Sequence, residues 1–281
     1  MKMTVVIHAL RLHEGSARHP GGNYYHMESL LRALLPRAEE AGFRVAVLVD
    51  ELGLRDLSRH LPREVLHLAG NSSDGVLRSD VSVRQAARKL GATLYYRPTG
   101  QLPFGRLPCK TIMGVADLNF RWIPVPPMRR LYKELSYRWS LRVADRVVCV
   151  SDFTRKDVAR FVPSVASKLR VIHHGAPVLP SFNRRTQGDY WLTFGHQSHK
   201  NVELCLRAIA ILKHKELADK LVVIGRSEHI EHVLEPLATS WGWRIGSVLS
   251  DAYHQLNYVS IIVAREGCCS CRSSKALAFR C

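Results

Sequence analysis

The stretch ADRVVCVSDFTRKDVARFVPSVASKLRVIHHGAP, from Ala144 to Pro177, constrains the fold more than any other part of the chain. Arg146–Val150 is an apolar, β-branched run suited to a buried strand. Ser151 follows it, with Thr154 three residues on, and either side chain can cap a helix that starts near Phe153. Leu169–His173 reads as the next strand, and His174-Gly175-Ala176-Pro177 closes it. Strand, helix and strand in this order form a βαβ unit, whose two strands lie parallel in one sheet. Ligands of open parallel sheets bind outside the carboxyl ends of the strands. Ser151, His174 and Gly175 stand at such ends, so they are cleft candidates, or else ordinary turn residues of one more crossover.

The same alternation runs through the rest of the chain. Thr4–His8 is a strand, Gly15–Asn23 a glycine-rich loop, and Tyr24–Ala41 a helix with Met27, Leu30, Leu31, Leu34 and Leu35 at helical spacing. That helix is expected to bury Leu30, Leu34 and Leu35. Arg44–Val49 is the second strand. Val81–Leu90 is helical, Thr93–Tyr96 and Thr111–Met113 are strands, and Met128–Val143 is a long helix. Pro177–Gly188 is polar, contains proline and lacks periodicity, as a linker does. The pattern then restarts with strand Tyr190–Phe194, helix Asn201–Leu212, strand Lys220–Gly225 and helix Ile230–Ser240. A capped helix over Ser250–Tyr258 and a short strand over Ser260–Val263 follow. The fold class is therefore α/β, with two Rossmann-like domains over residues 1–182 and 183–281, the second incomplete.

Three groups in this frame can carry chemistry. Gly21 and Gly22 follow the first strand, where glycine lets backbone approach a ligand and the next helix offers free N–H groups; a plain βα turn reads the same way. Lys200 opens a helix after the strand and the turn at Gly195 and His196. A cation there is mildly unfavourable for the helix but well placed for a diphosphate. Asp117, in MGVADLNFRWIPVPP, follows a strand and is either a turn carboxylate or a catalytic one.

Composition narrows the class. The 281 residues carry 41 Lys+Arg against 24 Asp+Glu, a net charge of +17 spread along the chain, which is either a solvated basic surface or an attraction to phosphate in a nucleotide sugar, an anionic membrane or nucleic acid. No basic-aromatic platform or RNA-binding motif supports specific nucleic-acid recognition. Seven cysteines with one close group, Cys268, Cys269 and Cys271, and no second pair at zinc-ligand spacing argue against a zinc site and fit a reducing cytoplasm, with the inner face of the membrane as a peripheral location. No metal and no cofactor are expected. A non-catalytic basic module on nucleic acid or anionic membrane is the rival reading.

Two segments carry a resemblance. A-D-R-V-x-x-V-S-D-F-T-R-x-D followed by V-I-x-x-G-A-P is similar to the end of the N-terminal domain of retaining glycosyltransferases of family 4, the GT-B class. LTFGHQSHKNVELCLRAIAIL, Leu192–Leu212, resembles the same family's opening of the donor domain. The resemblance implies transfer of a sugar from a nucleotide-sugar donor to a saccharide or lipid-linked acceptor, as in polysaccharide biosynthesis. It implies that the Gly21-Gly22 loop lies near the sugar and diphosphate, that Gly195, His196 and Lys200 bind the diphosphate, and that Asp117 is catalytic. Where the family often has an arginine after the glycine this chain has His196, and where it often has His-Asp this chain has Ala116-Asp117.

The family's glutamate motif, of the form E-G-x-G-L-P-V-x-E, is expected soon after Tyr258 and is missing. Residues 264–281 instead crowd cysteine, serine and arginine without periodicity. Codons that can encode Lys275–Cys281 yield Gly-Leu-Gly-Leu-Pro-Val when read two bases on. The resemblance thus implies a donor domain truncated by a frameshift, whose activity turns on whether this tail is a working terminus.

Overall fold

The first strand, β1 (Thr4–His8), is buried along its whole length and serves two cores at once. Side chains alternate across a strand. Val6 accordingly joins one apolar cluster, with Tyr95, Met113, Leu141 and Val147, while Val5 and Ile7 join another, with Met27, Leu31, Val47 and Leu57. A strand covered on both faces is what its unbroken apolar run requires.

The computed structural model describes residues 3–10, 22–71, 73–175, 191–194, 200–214, 220–224, 232, 234–240, 244–247 and 260–263. The chain divides into two compact units, Met1–Val178 and Leu179–Cys281. Residues 21, 177–188, 195, 196, 250–258 and 264–281 lie outside the described residues. The sequence readings made there, including the Gly21, Gly195 and His196 ligands, the linker, the last capped helix and the aberrant tail, fall with them.

In the first unit β1 pairs with β2 (Arg44–Val49) and β4 (Leu94–Arg97). β3 (Leu66–Leu68), β5 (Lys110–Val115), β6 (Arg146–Cys149) and β7 (Leu169–Val171) complete a seven-stranded sheet in the order β3-β2-β1-β4-β5-β6-β7. Every pairing is parallel. The helices are α1 (Gly22–Glu40), α2 (Glu51–Leu57), α3 (Val76–Lys89), α4 (Pro127–Val143) and α5 (Asp152–Phe161). This is the Rossmann-like α/β fold expected from the alternation. Strand order reverses beside β1, between β2 and β4, which makes that point of the carboxyl edge the natural crevice.

Three details depart from expectation. α1 buries Tyr24, Met27, Leu31 and Ala38; Leu34 and Leu35 are half-buried against the same cluster, and Leu30 faces a cavity instead. α3 starts five residues before the apolar periodicity suggests, because Val76 and Leu77 of its first turn stay exposed. α2 and β3 were hidden in a segment without clear periodicity. α2 is held by the Asp50 carboxylate, which accepts the Gly53 N–H at 2.8 Å, and β3 is only three residues long.

The second unit contains β8 (Trp191–Phe194), α6 (Val202–His214), β9 (Lys220–Ile224), α7 (Glu235–Ser240), β10 (Arg244–Ser247) and β11 (Ser260–Val263) among the described residues. Its strand order is β10-β11-β9-β8. β8 and β9 are parallel, as the restarted pattern requires, but β11 runs antiparallel to both β9 and β10, so this sheet is mixed. An apolar β-branched run such as Ser-Ile-Ile-Val marks a strand without marking its direction. Val202, Leu206 and Ile209 of α6 pack on Leu221 and Val223 of β9 to form the unit's core. No helix among the described residues is long and apolar enough to cross a membrane.

Candidate active site

Polar side chains tie the loops at both edges of the parallel sheet, at the amino edge as well as the carboxyl edge. Asp145, at the start of β6, accepts the Thr111 N–H at 2.8 Å and the Thr111 hydroxyl at 3.1 Å, and pairs with Lys110 at 3.1 Å. Partial burial opposes its ionisation, but these hydrogen bonds outweigh it and hold the carboxyl below the usual range. At the other end of β6, Ser151 is the N-cap of α5: its hydroxyl accepts the Thr154 N–H at 3.1 Å. The Thr154 hydroxyl in turn donates to the Ala116 carbonyl at 3.1 Å. Asp157 on the same helix pairs with Arg121 at 3.4 Å. The S-D-F-T-R-x-D run is thus a brace that grips the loop after β5, and the Ser151 hydroxyl is spent on capping.

That loop carries Asp117. Its carboxylate accepts the Asn119 N–H at 2.9 Å, and the side chain remains exposed at the end of β5. Tyr137 lies near enough that burial, together with the Asp117 charge, pushes its phenol up to about 12. Lys133 also feels Asp117, which favours its charged form against burial and the neighbouring Arg129. Asp117 therefore makes the turn that the residue-level reading allowed and still presents a carboxylate at the strand edge.

Two cavities flank the switch point. The first, of about 390 Å³, is lined at the ends of β1 and β4 by His8, Arg97 and Thr99, and from α3 and α4 by Asp80, Arg129 and Lys133. His8 Nδ1 and the fully buried Tyr95 hydroxyl share a hydrogen bond of 2.5 Å beneath it. Burial raises the Tyr95 phenol well above its ordinary value, so it stays protonated.

The second cavity, of about 530 Å³, lies on the α1 side of the sheet, against Leu30, Tyr96, Gly114, Val148 and Ile172. His174 and Gly175 line it, and His174 stacks on His26 of α1 with ring centroids 3.7 Å apart. Burial, reinforced by the His174 charge, lowers the His26 pKa and favours the neutral form of that ring. Gly114 leaves no room for a side chain here: a Cβ would sit 1.9 Å from the Pro98 carbonyl oxygen.

Gly22 opens α1. In the second unit Lys200 is exposed, two residues before α6 begins, and Asn201 between them takes a left-handed backbone with φ 49°. Asparagine tolerates that conformation better than most residues. It bends the chain so that Lys200 precedes the helix instead of forming its first turn.

A family model for glycosyltransferase family 4 matches residues 27–178, more than half of the chain. The chain belongs to glycosyltransferase family 4. No curated protein sequence matches it. Among solved structures it resembles a glycosyltransferase from Rickettsia africae, at 14% identity and a TM-score of 0.52, covering 86% of this chain and 66% of that one. It also resembles the Anabaena protein HepE, solved in complex with UDP and glucose, at 15% identity and a TM-score of 0.54, covering 85% of this chain and 66% of that one. Similarity at this level speaks for the fold. The chain spans just under two thirds of the length of either structure.

Within this family 4 chain the structure brings Asp117 and the lining of the first cavity to one stretch of sheet edge, and His174 and Gly175 to the second cavity. Ser151 is among the lining residues of neither. Arg97, Arg129 and Lys133 were missed by sequence reading. The Arg129-Arg130-Leu131-Tyr132-Lys133 cluster was visible as charge, but nothing in its spacing tells which residues turn toward a cavity.

Proposed function

We propose that the chain transfers a sugar from a nucleotide-sugar donor to a saccharide or lipid-linked acceptor with retention at the anomeric carbon, in the cytoplasm or at the inner face of the membrane. The observation that carries this reading is family 4 membership over the unit whose carboxyl edge holds Asp117 and the two cavities. In this reading residues 1–178 hold the acceptor and the second unit holds the donor. Catalysis then consists of aligning acceptor hydroxyl and donor sugar and of neutralising the leaving diphosphate, with Asp117 at the reacting groups. By the sequence reading, Gly21, Gly22, Gly195, His196 and Lys200 are the candidate ligands for the donor diphosphate. The Anabaena neighbour's complex with UDP and glucose makes UDP the first nucleotide to try.

The test is calorimetric titration of the full chain with UDP and other nucleoside diphosphates. A hydrogen bond to a charged group contributes about 1.5–3 kcal/mol, so Lys200→Ala is expected to weaken binding roughly ten- to a hundredfold. Unchanged affinity would remove Lys200 from the donor site.

A further inference from the structure

Helix α4 turns Ser136, Ser140 and Leu141 inward, with Tyr137 and Trp139 packed against the core, and still leaves several apolar side chains outside. Its buried side chains include Ser136 and Ser140, while Met128, Leu131 and Leu135 are 77%, 51% and 60% exposed. The buried serines have work to do: Ser136 Oγ accepts the Gln101 amide at 3.1 Å, and Ser140 Oγ accepts the Leu102 N–H at 3.0 Å, so both pin the chain that follows β4. The fold does not require the apolar side chains on the opposite side. Met128, Leu131, Tyr132 and Leu135 fall at i, i+3, i+4 and i+7 and form one stripe. Across the first cavity, α3 adds Val76 and Leu77, 41% and 75% exposed, in its opening turn.

The stripe adjoins the cavity through Tyr132, which belongs to both. Among the described lining residues three cations, Arg97, Arg129 and Lys133, face one carboxylate, Asp80, and Asp80 already accepts the Phe104 N–H at 2.9 Å. Burial chiefly, and the adjacent Arg129 after it, lower the Lys133 pKa, while Asp117 works the other way. Trp122, 70% exposed, stands before α4 beside Arg121, whose guanidinium lies 5.3 Å from its ring. Aromatic and aliphatic side chains interleaved with arginine suit the boundary between lipid headgroups and acyl chains.

We propose that this α3–α4 face docks on an anionic lipid bilayer, with a lipid phosphate in the Arg97–Arg129–Lys133 cavity and the Met128, Leu131 and Leu135 stripe among the acyl chains. Docking deepens the reading of this unit as the acceptor side, since it would bring the sheet edge to a lipid-linked acceptor. It is nevertheless measured without any sugar transfer, so its failure leaves the nucleotide-binding test untouched.

The experiment is co-sedimentation of the full chain with vesicles of phosphatidylcholine, alone or mixed with phosphatidylglycerol. The chain is expected to bind the mixed vesicles, to bind them less as salt rises, and to bind phosphatidylcholine alone poorly. Removing one exposed leucine from a bilayer costs enough for Leu131→Asp or Leu77→Asp each to reduce binding about tenfold or more, and Arg129→Glu should reduce it as well. Leu204→Asp, an equally exposed leucine on α6, is expected to leave binding unchanged. Circular dichroism melts of each variant confirm the fold. No binding to the mixed vesicles, or equal loss with Leu204→Asp, would overturn the proposal. So would sedimentation analysis without vesicles if it showed a dimer that Leu131→Asp dissolves, because the face would then belong to a second copy of the chain.

Discussion

Asp145 shows how one short side chain can fix the spacing of two strands. It stands at the head of β6 and takes both polar hydrogens of Thr111 on β5. Its folded pKa is depressed, so the stabilisation it contributes is complete above the unfolded value, about 3.9, and is lost as pH falls through the folded value. Asp145→Asn is therefore expected to destabilise the chain by about 1 kcal/mol at neutral pH and to flatten the acid side of its stability profile. Chemical denaturation across pH 7 to 3 checks both; an unaltered acid limb would mean that the carboxylate holds nothing. Gly114 makes the complementary point, since the Pro98 carbonyl occupies the place of a side chain there.

At the scale of the element, α5 works as a fastener for the loop bearing Asp117. Ser151 caps it, Thr154 reaches the Ala116 carbonyl and Asp157 holds Arg121. Ser151→Ala is expected to cost about 1 kcal/mol, the usual loss of an N-cap, and to speed hydrogen exchange in residues 116–121. Faster exchange confined to α5 would show that the brace does not reach the loop. This helix and its flanking strands were legible in the sequence because an apolar run, a capping serine and a second apolar run each signal locally. The carboxylate at Asp117 was legible too, as a polar residue just past a strand. α2 and β3 were not, since a seven-residue helix and a three-residue strand span too little chain for a period to emerge. β10 was missed for the same reason, having four residues and a glycine among them. Nor could periodicity tell which face of α4 is inside, because Ser136 and Ser140 share the inner face with Leu141 while Met128, Leu131 and Leu135 stay outside.

For the whole molecule, a parallel first sheet was implied by the strand–helix alternation, without its edge strand β3 or its strand order, whereas the mixed second sheet was not, because pairing direction is set by connections and not by strand composition. The two cavities come from the order of the strands: chain segments far apart in sequence, at the ends of β1 and β4 and the starts of α3 and α4, meet only once the sheet is assembled. The +17 charge is a property of the whole surface, and the Arg97, Arg129 and Lys133 lining is where it becomes local. Sugar transfer from a nucleotide donor is the central claim. It is tested most directly by incubating the full chain with a panel of nucleotide sugars and measuring release of the nucleoside diphosphate, a reaction that water can complete when no acceptor is supplied. The account predicts release from at least one donor, strongly reduced by Asp117→Ala in a variant that melts like the parent. Release from none of the donors, or equal release by Asp117→Ala, would contradict it.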